Sequence, residues 1–175
     1  MYCPSAEFVK NQNPNYQLPK ISTLNCWDII SSEPNFLLLH NRQAQGDWSE
    51  FSYLVDCHEW KDVPDVTPYL LFDKYAVVIT DLQGIVVWVS KGFETMTGYA
   101  KAETLNRSPK FLQGEETSWV TSQNIAQKLK NYEKTTATVI NYRKSGEKYN
   151  CELQIFPMFT TNNRPSHFLA LEKEV

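Results

Sequence analysis

The chain has 175 residues, 42% of them apolar, which is enough for one well-packed domain plus an extension and too few for two large domains. With 17 Lys and Arg against 20 Asp and Glu, a net charge of -3 and a pI near 5.6, it lacks the basic face that replaces phosphate counterions, so DNA and RNA are not expected partners. Residues 1–7 show no basic start leading into an apolar core, and no apolar run reaches the length of a membrane span, so the expectation is a cytoplasmic protein without a membrane partner. Residues 1–22, with Pro4, Pro14 and Pro19 among Asn11, Asn13 and Asn15, favour irregular chain over helix. From Ser22 onward, apolar groups (Trp27 to Ile30, Phe36 to Leu39, Trp48 to Val55) separated by polar linkers such as Ser31-Ser32-Glu33-Pro34 predict short helices with buried faces. Asp47 or Ser49 caps a helix running toward Trp60, Pro64 ends it, and Pro68 leads into the first strand.

This divides the chain into an extension, residues 1–70, irregular and then helical, serving as a cap or dimerisation element, and a main domain, residues 71–175. Charge follows the same division: the first part carries 4 Lys and Arg against 9 Asp and Glu, the second 13 against 11. In the main domain Ala76 to Asp81 and Gly84 to Ser90 read as strands with apolar residues on both faces, a pattern expected of a sheet covered on both sides. Lys91 to Gly98 reads as a short helix. Glu115, Glu116 and Thr117 suit the start of a longer helix whose Trp119, Ile125, Ala126, Leu129 and Tyr132 fall near helical spacing as core residues. After a turn at Gly146, Tyr149, Cys151, Leu153 and Ile155 share one strand parity and are expected to face a pocket. In the last strand Glu172 shares the face of Phe168 and Ala170, and a carboxylate aimed into an apolar cavity has a raised pKa.

Cys3, Cys26, Cys57 and Cys151 lie far apart, so free thiols in a reducing compartment are expected. Zinc held by Cys26, His40, Cys57 and His58 is disfavoured, because adjacent ligands without paired spacing chelate poorly, and no metal site is assigned. The histidines His40, His58 and His167 are scattered, and neither a Gly-x-Ser-x-Gly elbow nor a phosphate loop occurs, so no catalytic residue is assigned and an enzyme is not expected.

Residues Ser108-Pro109-Lys110-Phe111-Leu112-Gln113-Gly114 carry the most specific signal. The segment resembles the Asn-Cys-Arg-Phe-Leu-Gln-Gly motif of light-oxygen-voltage (LOV) domains, a branch of the PAS superfamily, with Pro109 where that family has its photoreactive cysteine. The resemblance runs from Tyr75 to Val175. It takes in the two strands, the helix ending in Thr97-Gly98-Tyr99, the long helix, and the hairpin at Asn141-Tyr142-Arg143-Lys144-Ser145-Gly146, in family order. It implies an α+β PAS fold: a five-stranded antiparallel sheet with short helices on one face, here with a helical N-terminal extension.

What the resemblance implies for flavin is mixed. Pro109 rules out a thiol adduct, since nothing there can ionise. Ser108 replaces a neighbouring asparagine, while Gln113 and Asn141 keep two amides. Lys110 stands for one phosphate-binding arginine as a point charge without a bidentate clamp, and Ala126 stands for the other. Cys151 replaces a second ring-reading asparagine and Glu172 the signal-passing glutamine. Lys110, Gln113, Asn141, Cys151 and Glu172 are therefore the candidate pocket residues, the cofactor is unassigned, and flavin mononucleotide (FMN) is disfavoured.

The reading that follows is a stand-alone PAS sensory or signalling module, binding a small apolar or aromatic molecule or a signalling protein and reporting through residues 1–70 or the sheet. A homodimer through the sheet or the extension is one way to cover the outer sheet face. The competing reading is a ligand-free interaction scaffold in which Phe111, Tyr149 and Leu153 fill the pocket. A third is a flavin redox or light sensor without an adduct, with Cys151, Trp119 or a tyrosine as electron donor.

Overall fold

The computed structural model describes residues 34–72 and 74–175, with side chains from residue 44 onward. These belong to two compact units, one ending at Cys57 and one running from His58 to Val175. Among its described residues the first holds one helix, α1 (Pro34–Cys57), 24 residues long. The short helices expected over Phe36 to Leu39 and Trp48 to Val55 are thus one continuous helix, and the apolar group at Trp27 to Ile30 lies outside the described residues. Pro34, read as linker, is its first residue, a position where proline's fixed φ and missing N–H cost nothing. Asp47 and Ser49 are interior residues rather than caps, and the helix stops short of Trp60. The predicted irregular segment of residues 1–22 lies outside the described residues.

In the second unit Glu59 (φ 50°) and Asp62 (φ 53°) bracket a two-residue strand, β1 (Trp60–Lys61). Pro68 does not lead directly into a strand: it sits in the first turn of a short helix, α2 (Thr67–Leu71), and the long strand follows. The remaining elements are β2 (Tyr75–Asp81), β3 (Val86–Val89), α3 (Lys91–Thr97), α4 (Lys101–Thr104), a 3₁₀ turn (Pro109–Leu112), α5 (Trp119–Lys130), β4 (Thr135–Tyr142), β5 (Lys148–Thr160) and β6 (Pro165–Glu174).

Five long strands form an antiparallel sheet in the order β3-β2-β6-β5-β4, so chain-distant β2 and β6 are central neighbours. The 13-residue β5 shares one edge between two partners: β4 pairs with Lys148 to Ile155, and β1 with Phe159 and Thr160. Turn chemistry explains the tight connections. Asp81 closes the β2–β3 turn by accepting from the backbone N–H groups of Gln83 and Ile85 on its Oδ1, with Gly84 at φ 77°. Gly146 at φ 89° lets β4 return as β5. Gly98, also left-handed, ends α3 by donating to the Glu94 carbonyl.

Both sheet faces are buried, as the two-parity apolar pattern requires. Ala76, Val78, Val86, Val89, Phe93, Met96, Leu112, Val139, Tyr149 and Cys151 form the inner core with α3 and the 3₁₀ turn, while Val77, Ile79, Leu169 and Leu171 are buried on the opposite parity. On that outer parity Tyr75 meets the rings of Tyr69 and Phe72 beside α2.

The long inner-face helix departs from expectation. Its N-cap is Ser118, whose Oγ accepts from Thr121 N–H, and none of its residues is buried. Thr117 instead ties the incoming chain to the sheet: its hydroxyl donates to the Ile140 carbonyl at 2.6 Å and accepts from Gly114 N–H. Trp119, expected in the core, is 69% exposed, and Tyr132, beyond the helix, is 41% exposed with its ring stacked beside Phe168. Neither reaches the core because the apolar stripe of α5 narrows to Ile125, Ala126 and Leu129.

Candidate functional site

Between α5, the 3₁₀ turn and the inner face of the sheet lies a cavity of about 230 Å³. Its walls are apolar: Val78, Val139, Leu153, Ile155, Phe168 and Ala170 from the sheet, Leu112 from the turn, and Ile125, Ala126 and Leu129 from α5. Polar groups enter at two levels. Ser108, Lys110, Gln113 and Ser122 line the helical side, with Lys110 and Gln113 exposed, while Asn141 and Glu172 rise from the sheet and are buried.

Strand parity places these side chains. On β6, Phe168, Ala170 and Glu172 alternate toward the cavity, and on β5 Leu153 and Ile155 do the same. Tyr149 and Cys151 keep the inner parity but are packed in the core below the wall rather than on it. Of the five pocket residues expected from sequence, Lys110, Gln113, Asn141 and Glu172 therefore line one cavity, and Cys151 supports it from behind. The lining residue Ser122 carried no sequence signal, while Ser108, read as the motif position in place of an asparagine, and Gly84, read as a strand start, were not among the expected pocket residues.

Glu172 is the electrostatic centre of the site. Burial removes its carboxyl from water and pushes its pKa up from 4.5 to about 7. Among the described residues its one hydrogen bond is accepted from the Cys151 thiol, 3.9 Å from Oε2, a weak donor that only partly offsets the burial. The Cys151 thiol is itself raised, by burial first and by the neighbouring Glu172 second, so it stays protonated and unreactive. The Tyr149 phenol is raised for the same two reasons, and its buried Oη lacks a well-formed hydrogen bond, with the Asn141 amide across the strand pair as its polar neighbour.

Below the site, Arg143 anchors the hairpin. It lies 4.5 Å over the Tyr149 ring, pairs with Glu174 at 2.6 Å and donates to the Met96 carbonyl. Arg107 covers the Phe111 ring at 4.1 Å, and Phe111 meets Tyr99 edge-on, which fixes the turn carrying Pro109, Lys110 and Gln113. Among the described residues no group of three or more His, Cys, Asp or Glu is placed to hold a metal, and Cys26 and the His40 side chain lie outside them. Nor is any described helix long and apolar enough to cross a membrane.

A family model described as the PAS domain matches residues 74–175. The chain belongs to the PAS domain family. Its α+β fold is the PAS fold, an antiparallel sheet of five strands with short helices, and it is related to LOV blue-light sensors. A blue-light photoreceptor of Listeria innocua is 36% identical over 104 residues, which are 57% of this chain and 40% of that protein. The solved LOV domain of an Erythrobacter litoralis blue-light activated histidine kinase superposes with a TM-score of 0.55 at 27% identity, covering 58% of this chain and 95% of that one. The PAS domain of the fruit-fly ELK potassium channel superposes equally well, TM-score 0.55 at 29% identity, covering 58% of this chain and 87% of that one. The chain spans less than half the length of the curated blue-light receptors it matches.

Flavin, the group implied by the LOV branch, does not fit the residues present. Pro109 lines the cavity where a thiol would attack, and Ala126 lines it where the second phosphate arginine would stand. An unpaired carboxyl, Glu172, takes the place of an amide. The cavity is also smaller than the roughly 300–1,000 Å³ typical of sites for drug-sized ligands.

Proposed function

We propose that this PAS domain is a sensory module that takes a small, colourless molecule into the cavity under α5, without thiol photochemistry and without catalysis. One observation carries the reading: an apolar cavity with buried Glu172 and Asn141 on its floor, roofed by a helix with no buried residue. Ile125 and Leu129 face the cavity yet remain partly exposed, so a bound molecule would bury apolar surface on both sides. Lys110, Gln113, Asn141 and Glu172 are the polar contacts in this reading, and Cys151 keeps Glu172 in place.

The extension, residues 1–70, acts as the cap or dimerisation element for the domain of residues 71–175, and the signal passes to a protein partner through it or through the sheet. A second copy of the chain is the first partner to test, by light scattering over a wide concentration range. A mass that stays monomeric at high concentration removes it.

The deciding experiment is an absorbance spectrum of the purified protein, then mass spectrometry of what denaturation releases and thermal unfolding with candidate metabolites. A released colourless molecule that raises the unfolding temperature supports the reading, since a ligand binding only the folded form must stabilise it. A protein that releases nothing and responds to no metabolite is the ligand-free scaffold instead. A blue absorption band from flavin would overturn both.

A further inference from the structure

The small-molecule reading makes Glu172 a polar contact without saying what chemistry it would meet. Glu172 is 5% exposed on the inner face of β6, opposite Ala76 of β2 and Leu153 of β5, and it is one of the residues that line the cavity. Among the described residues it forms no ion pair, and the Cys151 thiol is its one hydrogen-bond donor. A carboxylate has about four acceptor positions, so most of its capacity faces an apolar space unanswered. Buried polar groups are otherwise hydrogen-bonded, and each exception calls for a partner.

Resting on the small-molecule reading, and naming the class of ligand for it, we propose that Glu172 recognises a planar nitrogen heterocycle with an amino group beside a ring nitrogen, bound with that edge against the carboxyl. The chemistry of the two edges matches. An ionised carboxylate accepts two hydrogen bonds side by side, one from the amine and one from the protonated ring nitrogen. The neutral acid pairs with the neutral heterocycle in the same geometry: its carbonyl accepts from the amine while its hydroxyl donates to the ring nitrogen. The pairing therefore survives wherever the proton sits. Alcohols and simple amines lack this second contact, and an anionic ligand would meet a like charge in a dry site.

The walls complete the match. Val78, Val139, Leu153, Ile155 and Phe168 offer flat apolar contact to the ring faces, and about 230 Å³ holds a one- or two-ring system without a long tail. Asn141, buried on β4 beyond β5, supplies a second polar point for a ring substituent.

The test uses the full chain with 2-aminobenzimidazole and, as the control lacking the amine, benzimidazole, read by titration calorimetry and thermal unfolding. The amino compound is expected to bind at least about tenfold tighter and to raise the unfolding temperature. Glu172→Leu is expected to abolish that preference, and Glu172→Gln, with one donor and one acceptor, to leave it intermediate; if the leucine variant does not fold, the glutamine variant carries the comparison. If benzimidazole binds as tightly as the amino compound, or the preference is unchanged in the variants, Glu172 is not the recognition group while the cavity remains a ligand site. If neither compound binds and Leu153→Trp, which fills the cavity, raises stability, the small-molecule reading falls as well.

Discussion

Cys151 Sγ stands 3.9 Å from Glu172 Oε2, a thiol donating to a carboxyl where both side chains are buried. This weak bond does not hold Glu172 ionised, and the consequence is a pH-dependent stability of unusual sign for an acid. The unfolded chain loses the Glu172 proton near the ordinary value of 4.5, whereas the folded protein keeps it to about 7. Its contribution is therefore fully present below pH 4.5, declines as pH rises toward 7, and levels off above. Glu172→Gln removes this contribution and at pH 8 is expected to be more stable than the parent by about 3 kcal/mol. Urea unfolding at pH 4 to 8 measures this, and parallel curves for the two proteins would refute it.

Gly92 opens α3 against the start of β2, and a Cβ there would lie 2.0 Å from the Tyr75 carbonyl oxygen. Backbone cannot swing aside as a side-chain tip can. Elsewhere in a helix Gly→Ala stabilises by about 1 kcal/mol; here Gly92→Ala is expected to destabilise by roughly 2–4 kcal/mol, because relieving the clash pulls α3 off the sheet. A rise in chemical-denaturation midpoint would contradict the contact.

The elements legible in the sequence were those whose signals are local. Gly98 after Thr97 marked the end of α3, Gly146 marked the hairpin, and alternating residues on β5 and β6 placed Leu153, Ile155 and Glu172 on the cavity face. The misread elements depend on partners distant in the chain. Thr117 resembled a helix cap but bonds the Ile140 carbonyl across the fold, leaving Ser118 to cap α5. Trp119 falls near helical spacing with Ile125 and Leu129, which reads as core, yet it precedes the stripe that meets the sheet and is left in solvent. Pro34 looked like a break and begins a helix, since proline's effect depends on which end of the helix it occupies. Within the site, Cys151 and Ile155 share a parity in sequence, yet Cys151 is packed in the core beneath the wall while Ile155 lies on it, a difference set only by the folded packing.

Restoring the missing thiol is expected not to restore LOV photochemistry. Pro109→Cys places a nucleophile on the cavity wall, but Ala126 still provides no phosphate anchor and Glu172 still presents a carboxyl where an amide would read the ring. The variant mixed with excess FMN and passed through a desalting column should come out colourless and show no light-driven bleaching. Retention of a yellow, bleachable chromophore would mean that the cavity opens to a flavin and that Pro109 alone blocks the chemistry.

His167 supplies a pH dependence opposite to that of Glu172. Its ring packs 4.3 Å from His58 and 5.1 Å from Trp60, and burial, with the His58 charge second and Asp81 opposing, lowers its pKa from 6.5 to about 4. Nearby, Ser166 Oγ accepts from Trp60 Nε1 at 3.3 Å and lies 2.6 Å from His167 Nδ1. Protonating His167 would set a charge in a partly buried site 4.3 Å from the His58 ring. The unfolded chain takes up this proton near 6.5 and the folded protein only near 4, so stability from His167 is present above pH 6.5 and is lost as pH falls toward 4. Solvent around the partly exposed ring screens some of that loss. Because the Glu172 contribution changes over nearly the same interval with the opposite slope, the parent protein is expected to show a shallow profile that hides both. Glu172→Gln should then lose stability on acidification, His167→Gln should lose it on alkalinisation, and the double variant should return to a nearly flat curve. Thermal unfolding of the four proteins from pH 4 to 8 reads all three slopes, and single variants as flat as the parent would show that neither group titrates in this window.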